Sequence, residues 1–317
     1  KPDLVWVKSR TNNEGHILFD SARGPELRQL VHTNTTEGLS AGGLISFNDD
    51  GFGVGQYTGT NQSGQDYVAW CWKAGGPTVM NTDGNIPTMV SVNQTAGFSC
   101  GTFTGNLQAN QGIGHGLGKV PAVVIVKERN ANSGWAFYHR SMGNTKVMYL
   151  NATEDAYTES GNGASWATTD PTSDVFYVGA NGATNDNNLA FYAWAEVEGF
   201  SKFGSYQGSS VENGTFVYCG FKPAWVMIKA TNLDPSAWII VDSSRDPHNP
   251  CTQKICADHD GAENTSNPAG ITANDNHVDL LSNGFKLRKN NTWTNSSSYN
   301  YVFMAFAESP FQTANAK

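Results

Sequence analysis

Three stretches set the reading of this chain: PDLVWVK at residues 2–8, PAVVIVK at 121–127 and PAWVMIK at 223–229. Each opens on a proline, runs through a nearly unbroken apolar segment and ends on a lysine. A short apolar run of this kind, bounded by turn residues, fits a strand buried between two layers. Working outward, each is followed by a second apolar segment: HILFDSARG (16–24), WAFYHRSMG (135–143) and WIIVDSSRD (238–246). A third comes next: ELRQLVHT (26–33), TKVMYLNA (145–152) and TQKICADH (252–259). Self-similarity at long intervals is the signature of a repeat architecture and governs everything read after it.

The later halves align as well. SFNDDGFGVG (46–55), DPTSDVFYVG (170–179) and DLLSNGFKLR (279–288) hold equivalent places. Each leads through a polar Asn/Ser-rich turn to a long apolar strand: YVAWCWKA (67–74), LAFYAWAEV (189–197) and YVFMAFAES (301–309). Two further segments, AGFSCGTFTG (96–105) and EGFSKFGSYQG (198–208), open the second and third copies. No segment carries a convincing helical period. Pro25–Val31 has a proline suited to a first helical turn, but its aligned copies read as strands. The expected fold is therefore all-β: three tandem repeats of a small antiparallel β-sandwich-like unit, over 1–95, 96–197 and 198–317. A pseudo-threefold closed ring of the three is the alternative.

The first repeat lacks the opening strand that the other two possess. Three sources compete for it: residues upstream of position 1, the tail 309–317, or a neighbouring chain adding a strand. The sequence does not begin with Met and carries no signal-peptide pattern, so it reads as a processed product or a piece of something longer.

Composition narrows the function. Polarity comes from Asn, Thr, Ser and 34 glycines rather than from charge, which suits short strands joined by tight turns. With 20 basic against 28 acidic residues and no Lys/Arg cluster, nucleic acid is not an expected partner. No apolar run approaches the ~20 residues of a membrane-spanning helix.

The chemical motifs each have a plain competitor. Gly97-Phe98-Ser99-Cys100-Gly101 matches a nucleophile elbow, yet no helix pattern follows and the segment recurs as Gly199-Phe200-Ser201. The glycine-rich run Gly112–Gly118 lacks dinucleotide spacing and reads as a hairpin or bulge with His115 in its turn. Asp20/Arg23 and Asp242/Arg245 recur at one position of repeats one and three, where repeat two has His139 and Met142. An ion pair bracing a turn is the expectation. Lys8, Lys127 and Lys229 end equivalent strands and should snorkel outward or pair locally. Asp258, Asp260 and Glu263 surround a glycine as in a calcium loop, without the twelve-residue spacing, so a solvated loop competes with a weak calcium site. No other cofactor is implied. A metal clip from His248, Cys251, Cys256 and His259, or a Cys251–Cys256 disulfide, are further readings. Trp135, Trp166 and Trp293 lie near turns and are the candidates for stacking on a sugar, with core burial as the competitor.

The signatures PDLVWVKSR, GHGLGKVPAVVIVK, NGFKLR, AEVEGFSKFGSYQG, FVYCGFKPAWVMIK and YVFMAFAESPFQTANAK carry a resemblance. Across nearly the whole chain they resemble repeat-containing virion proteins of tailed phages of marine bacteria, cyanophages among them. The resemblance implies a non-enzymatic component on the virion surface, in a tail fibre or other host-contacting appendage. It transfers no catalytic residue. The implied partners are copies of the same chain in a homo-oligomer, other virion proteins and a host-surface glycan. A capsid decoration or head-fibre protein, and a lectin-like glycan-binding module, are the alternatives. A glycan depolymerase would need two carboxylates about 5–10 Å apart in a cleft, and carboxylates are scarce within the apolar strands.

Overall fold

A computed structural model describes residues 1–265 and 277–308. Among these the chain is almost wholly β, with 25 strands and a single four-residue helix, Gly182–Asn185. The sheets are antiparallel and open. Contacts divide the chain into two compact bodies. The larger holds residues 1–152 and 157–195, and the smaller holds 153–156 together with 196 onward.

In the larger body a first five-stranded sheet is built from β1 (Leu4–Ser9), β2 (Ile17–Asp20), β3 (Gly24–Leu30), β4 (Gly38–Leu39) and β7 (Tyr67–Trp72), beside the hairpin β5 (Leu44–Asn48)–β6 (Gly51–Val54). Its order is β4-β3-β2-β1-β7. An eight-stranded sheet follows. It uses β8 (Val79–Asn81), β9 (Thr88–Asn93), β10 (Phe98–Thr104), β12 (Val123–Glu128), β13 (Ala136–His139), β14 (Lys146–Tyr149), β15 (Tyr157–Thr158) and β17 (Asn188–Trp194). Its order is β15-β14-β13-β12-β17-β10-β9-β8, and β11 (Gln111–Gly114) pairs separately with β16 (Val175–Val178).

The smaller body has a five-stranded sheet of β18 (Ser201–Gln207), β20 (Trp225–Ala230), β21 (Ile239–Asp242), β22 (Ile255–Cys256) and β25 (Asn300–Phe306). It is ordered β18-β25-β20-β21-β22. Facing it lie β19 (Phe216–Tyr218), β23 (Val278–Leu281) and β24 (Gly284–Leu287), ordered β19-β24-β23. Residues from both sheets, among them Val226, Ile228, Ile239, Phe285, Leu287 and Phe303, share one core.

The three larger sheets contain runs of matching order: β3-β2-β1-β7, β14-β13-β12-β17 and β22-β21-β20-β25. Registers match too, since Trp6 opposes Trp70, Ile125 opposes Tyr192 and Met227 opposes Met304. Beyond β17 and β25 sit β10 and β18, whereas β7 ends its sheet. Residues 4–7 are paired on both sides, so the edge left open in the first sheet belongs to β7. The tail 309–317, one expected source of a covering strand, lies outside the described residues.

Alternation explains why β1, β12 and β20 are apolar throughout. Val5 and Val7 face a core with Ile17, Phe19 and Leu44, while Leu4, Trp6 and Lys8 face the other way. In the larger body that second face meets the eight-stranded sheet, where Trp72 and Trp194 pack edge to face at 6.0 Å. The three strand-end lysines do not snorkel: Lys8, Lys127 and Lys229 are fully buried. Lys8 Nζ donates to the Ser9 carbonyl at 2.5 Å and Lys127 Nζ to that of Glu128 at 2.6 Å. Lys229 Nζ donates to the carbonyls of Ser236 and Thr153. A buried ammonium keeps its charge only with such acceptors. Lys8, which also reaches the Asn12 carbonyl, and Lys229 thereby tie loops to the sheet, while Lys127 is held at the end of its own strand. The glycine-rich run is half strand. Gly112 and Gly114 belong to β11, and only Gly116 and Gly118 adopt positive φ, at 70° and 66°.

Candidate functional site

The recurring Asp/Arg position is the expected turn-bracing ion pair, and it sits within a buried charge network. Arg23 Nε meets Asp20 Oδ2 at 2.5 Å, Nη1 meets Glu37 Oε2 at 2.8 Å, and Nη2 donates to the Leu18 carbonyl. Tyr192 donates its hydroxyl to Asp20 at 2.6 Å, and Arg129 holds the other side of Glu37 at 2.7 Å. In the smaller body Arg245 meets Asp242 at 2.5 Å, Glu263 at 2.7 Å and the Ile240 carbonyl at 3.0 Å. Burial works against ionised Glu37, but the hydrogen bonds from Arg129 and the charge of Arg23 outweigh it and hold its pKa below the ordinary value. In the second sheet the Asp position is His139, whose Nδ1 accepts from Ser141 N at 3.1 Å. These groups are spent on holding hairpin turns.

The remaining motifs resolve in the same way. Ser99 is buried on β10 and its Oγ has no hydrogen-bond partner. His115 is buried, accepting from Leu117 N and contacting the Thr172 carbonyl, and burial lowers its pKa to about 4. Asp258 accepts from Trp238 N through Oδ1, Asp260 is half exposed beside His259 at 3.7 Å, and Glu263 is bound to Arg245. The three carboxylates thus face different partners. Among the described residues no three carboxylate, imidazole or thiol groups gather as a metal site would require. No disulfide joins Cys251 and Cys256, both of which are buried. Trp135 and Trp166 are enclosed in the interior, so neither offers a ring face to solvent. Trp293 is half-buried and packs on the core of the smaller body.

The exposed chemistry that sequence reading missed lies on the outer face of β19-β24-β23. Val217 points into the core, so its neighbours Phe216 and Tyr218 point out together, 42% and 64% exposed. Their Cα atoms are about 7 Å apart along the strand. Across the ladder Phe216 opposes Lys286, which opposes Asp279, and Tyr218 opposes Gly284, which opposes Leu281. Gly284 is required there, because a Cβ would collide with the Val217 carbonyl and press the Phe216 ring at 3.1 Å. Without it the Phe216 ring reaches across bare backbone. Arg288 extends the same face, with Nε 3.3 Å from Asp279 and Nη1 donating to Asn213 Oδ1 at 3.3 Å. The loop after β19 is fixed by the N–H groups of Cys219 and Gly220, both donating to the Asn283 carbonyl. The only local signal was FVYCGF itself, an apolar strand whose alternate residues are aromatic.

Fold and face together define an open-sheeted, antiparallel β protein that presents an aromatic and cationic surface. The chain belongs to a family described as a domain of unknown function (DUF7483), whose model matches residues 1–310. Nothing among curated proteins or solved structures matches it.

Proposed function

We propose that the chain is a non-enzymatic protein on the outside of a phage particle, part of a tail fibre or other host-contacting appendage. In this reading it is built from three copies of one β unit. The observation that carries it is the matching strand order of the three larger sheets, β3-β2-β1-β7, β14-β13-β12-β17 and β22-β21-β20-β25. Repeated modules of one kind suit an extended appendage, because length is gained by adding copies. The sequence resemblance to virion proteins of marine phages supports the setting. The use of the buried Asp, Arg, Glu and Lys groups in bracing loops supports a scaffold rather than a catalyst.

The test is immunogold labelling of purified particles of a phage that encodes the chain. Gold on fibres or another appendage is the expected result. Gold confined to the capsid would move the protein to a decoration role. Particles that carry none of it, by labelling and by mass spectrometry, would overturn the reading.

A further inference from the structure

We infer that the outer face of β19-β24-β23 binds a carboxylate- or sulfate-bearing polysaccharide, with Phe216 and Tyr218 as stacking platforms and Lys286 and Arg288 as anion partners. The inference rests on the surface-protein reading above and names what that surface holds.

The chemistry points to one class of ligand. A pyranose ring has an apolar C–H face and a polar rim. It needs a flat aromatic surface with hydrogen-bonding groups beside it, which two neighbouring rings next to charged side chains provide. Phe216 and Tyr218 stand on the same face of a three-residue edge strand, both exposed. A strand carrying its aromatics outward leaves apolar area in water, and a large exposed apolar group rimmed by polar ones marks a contact surface. Flatness comes from two glycines: Gly284 has no side chain to separate the Phe216 ring from the ladder, and the Tyr218 ring lies against Gly220.

The rim favours an anion. Lys286 lies in the ladder directly opposite Phe216. Arg288 is already oriented by Asp279 and Asn213 through Nε and Nη1. A guanidinium fixed in this way loses little freedom on pairing with a carboxylate or sulfate. Asp279 offsets one of the two cations, so the face is locally positive on a chain of net charge −8.

The experiment uses the full chain and three immobilised polyanions: polygalacturonate, alginate and a sulfated galactan. Fully methyl-esterified polygalacturonate, which keeps the sugar rings and loses the charge, is the control. We expect binding to at least one polyanion that weakens with salt and falls about tenfold or more on the ester. Tyr218→Ser and Lys286→Gln, both at exposed or half-exposed positions, should each weaken it by about tenfold, a loss typical of one ring or one ion partner. Melting temperature and near-ultraviolet circular dichroism should stay unchanged, which separates lost contact from lost fold. Uronate and sulfate arms tell which anion is read. Binding that both variants leave intact would overturn the assignment of the face. Equal binding to the ester would overturn the anionic class. No binding to any polyanion at millimolar concentration would overturn both. So would a concentration-dependent dimer abolished by Tyr218→Ser, which would assign the face to a second copy. Gold-labelled particles combined with absent glycan binding would leave the surface reading standing and remove only this inference.

Discussion

Asp258→Asn should make the protein more stable at neutral pH, although it deletes a buried charge that has a nearby cation. Burial lifts the pKa of Asp258 from 3.8 to about 6, against the opposing pull of Lys229 and the hydrogen bond from Trp238 N. Its Oδ2 is buried with no hydrogen-bond partner. Folded, the carboxyl holds its proton up to about pH 6, and unfolded it releases it near 3.8. Between those values the folded chain binds more protons, so stability falls as pH rises and the full cost stands above pH 6. A shift of about two pH units corresponds to ~3 kcal/mol. Asparagine removes that cost and keeps the bond from Trp238 N. The second sheet shows the geometry at its aligned position: Asn151 Oδ1 accepts from Trp135 N at 2.8 Å, as Asp258 Oδ1 accepts from Trp238 N at 2.9 Å. The assay is urea unfolding read by hydrogen exchange of peptides spanning β20 and β21. Near pH 4 the two proteins should agree within about 0.5 kcal/mol, and near pH 7.5 the variant should lead by about 2–3 kcal/mol. A difference that does not change with pH, or a less stable variant at pH 7.5, would refute the reasoning.

Other outcomes follow from the same geometry. Arg245→Ala leaves Asp242 and Glu263 buried without their shared cation, at a cost of about 3–5 kcal/mol; a loss under about 1 kcal/mol in the unfolding midpoint of the smaller body would show that the network contributes little. Burial holds His115 neutral in the fold down to about pH 4, whereas the unfolded chain protonates it near 6.5. Stability therefore falls as pH drops between those values, and a His115→Gln variant should show a shallower acid loss in a pH series of thermal melts. With a thiol reagent the folded chain should take up one label, at exposed Cys71, while buried Cys100, Cys219, Cys251 and Cys256 react only after unfolding. Desolvation raises the Cys71 pKa to about 11, so that label should go on faster as pH rises; intact mass spectrometry showing two or more adducts on the native protein would contradict this packing.

The fold class was legible because hydrophobic runs and turn residues are local signals. PDLVWVK, WIIVDSSRD and YVFMAFAES each announce a strand, and Pro25–Val31 falls in and beside β3, as its aligned copies suggested. The hairpin of β8 and β9 was missed, since VMN and TMVSVN are short, polar on one face and have no aligned copy. Environment was far less legible than element type. A lysine at a strand end looks the same whether it reaches water or a nearby backbone carbonyl, and Lys8, Lys127 and Lys229 took the second course. The tryptophans could be read either way for a related reason. A large ring near a turn can lie over the sheet or stand off it, and Trp135 and Trp166 lie within it. Phe216 and Tyr218 stand in an apolar segment, yet the inward Val217 between them decides that both point out.

The strand order also sets a clock on synthesis. In each of the three larger sheets the strand that pairs with the first apolar strand is made last: Trp72 must return to Leu4, Trp194 to Val123 and Phe306 to Trp225. Until it leaves the ribosome, β1, β12 or β20 waits with one apolar edge open, since long-range pairing has to bear its loop-closure entropy before any contact rewards it. Such edges on nascent chains made side by side on one message can find each other. The polar, asparagine-rich loops that precede β17 and β25 would keep the waiting intermediate hydrated, so the interval before the last strand arrives is where chaperone dependence and expression temperature should be felt most.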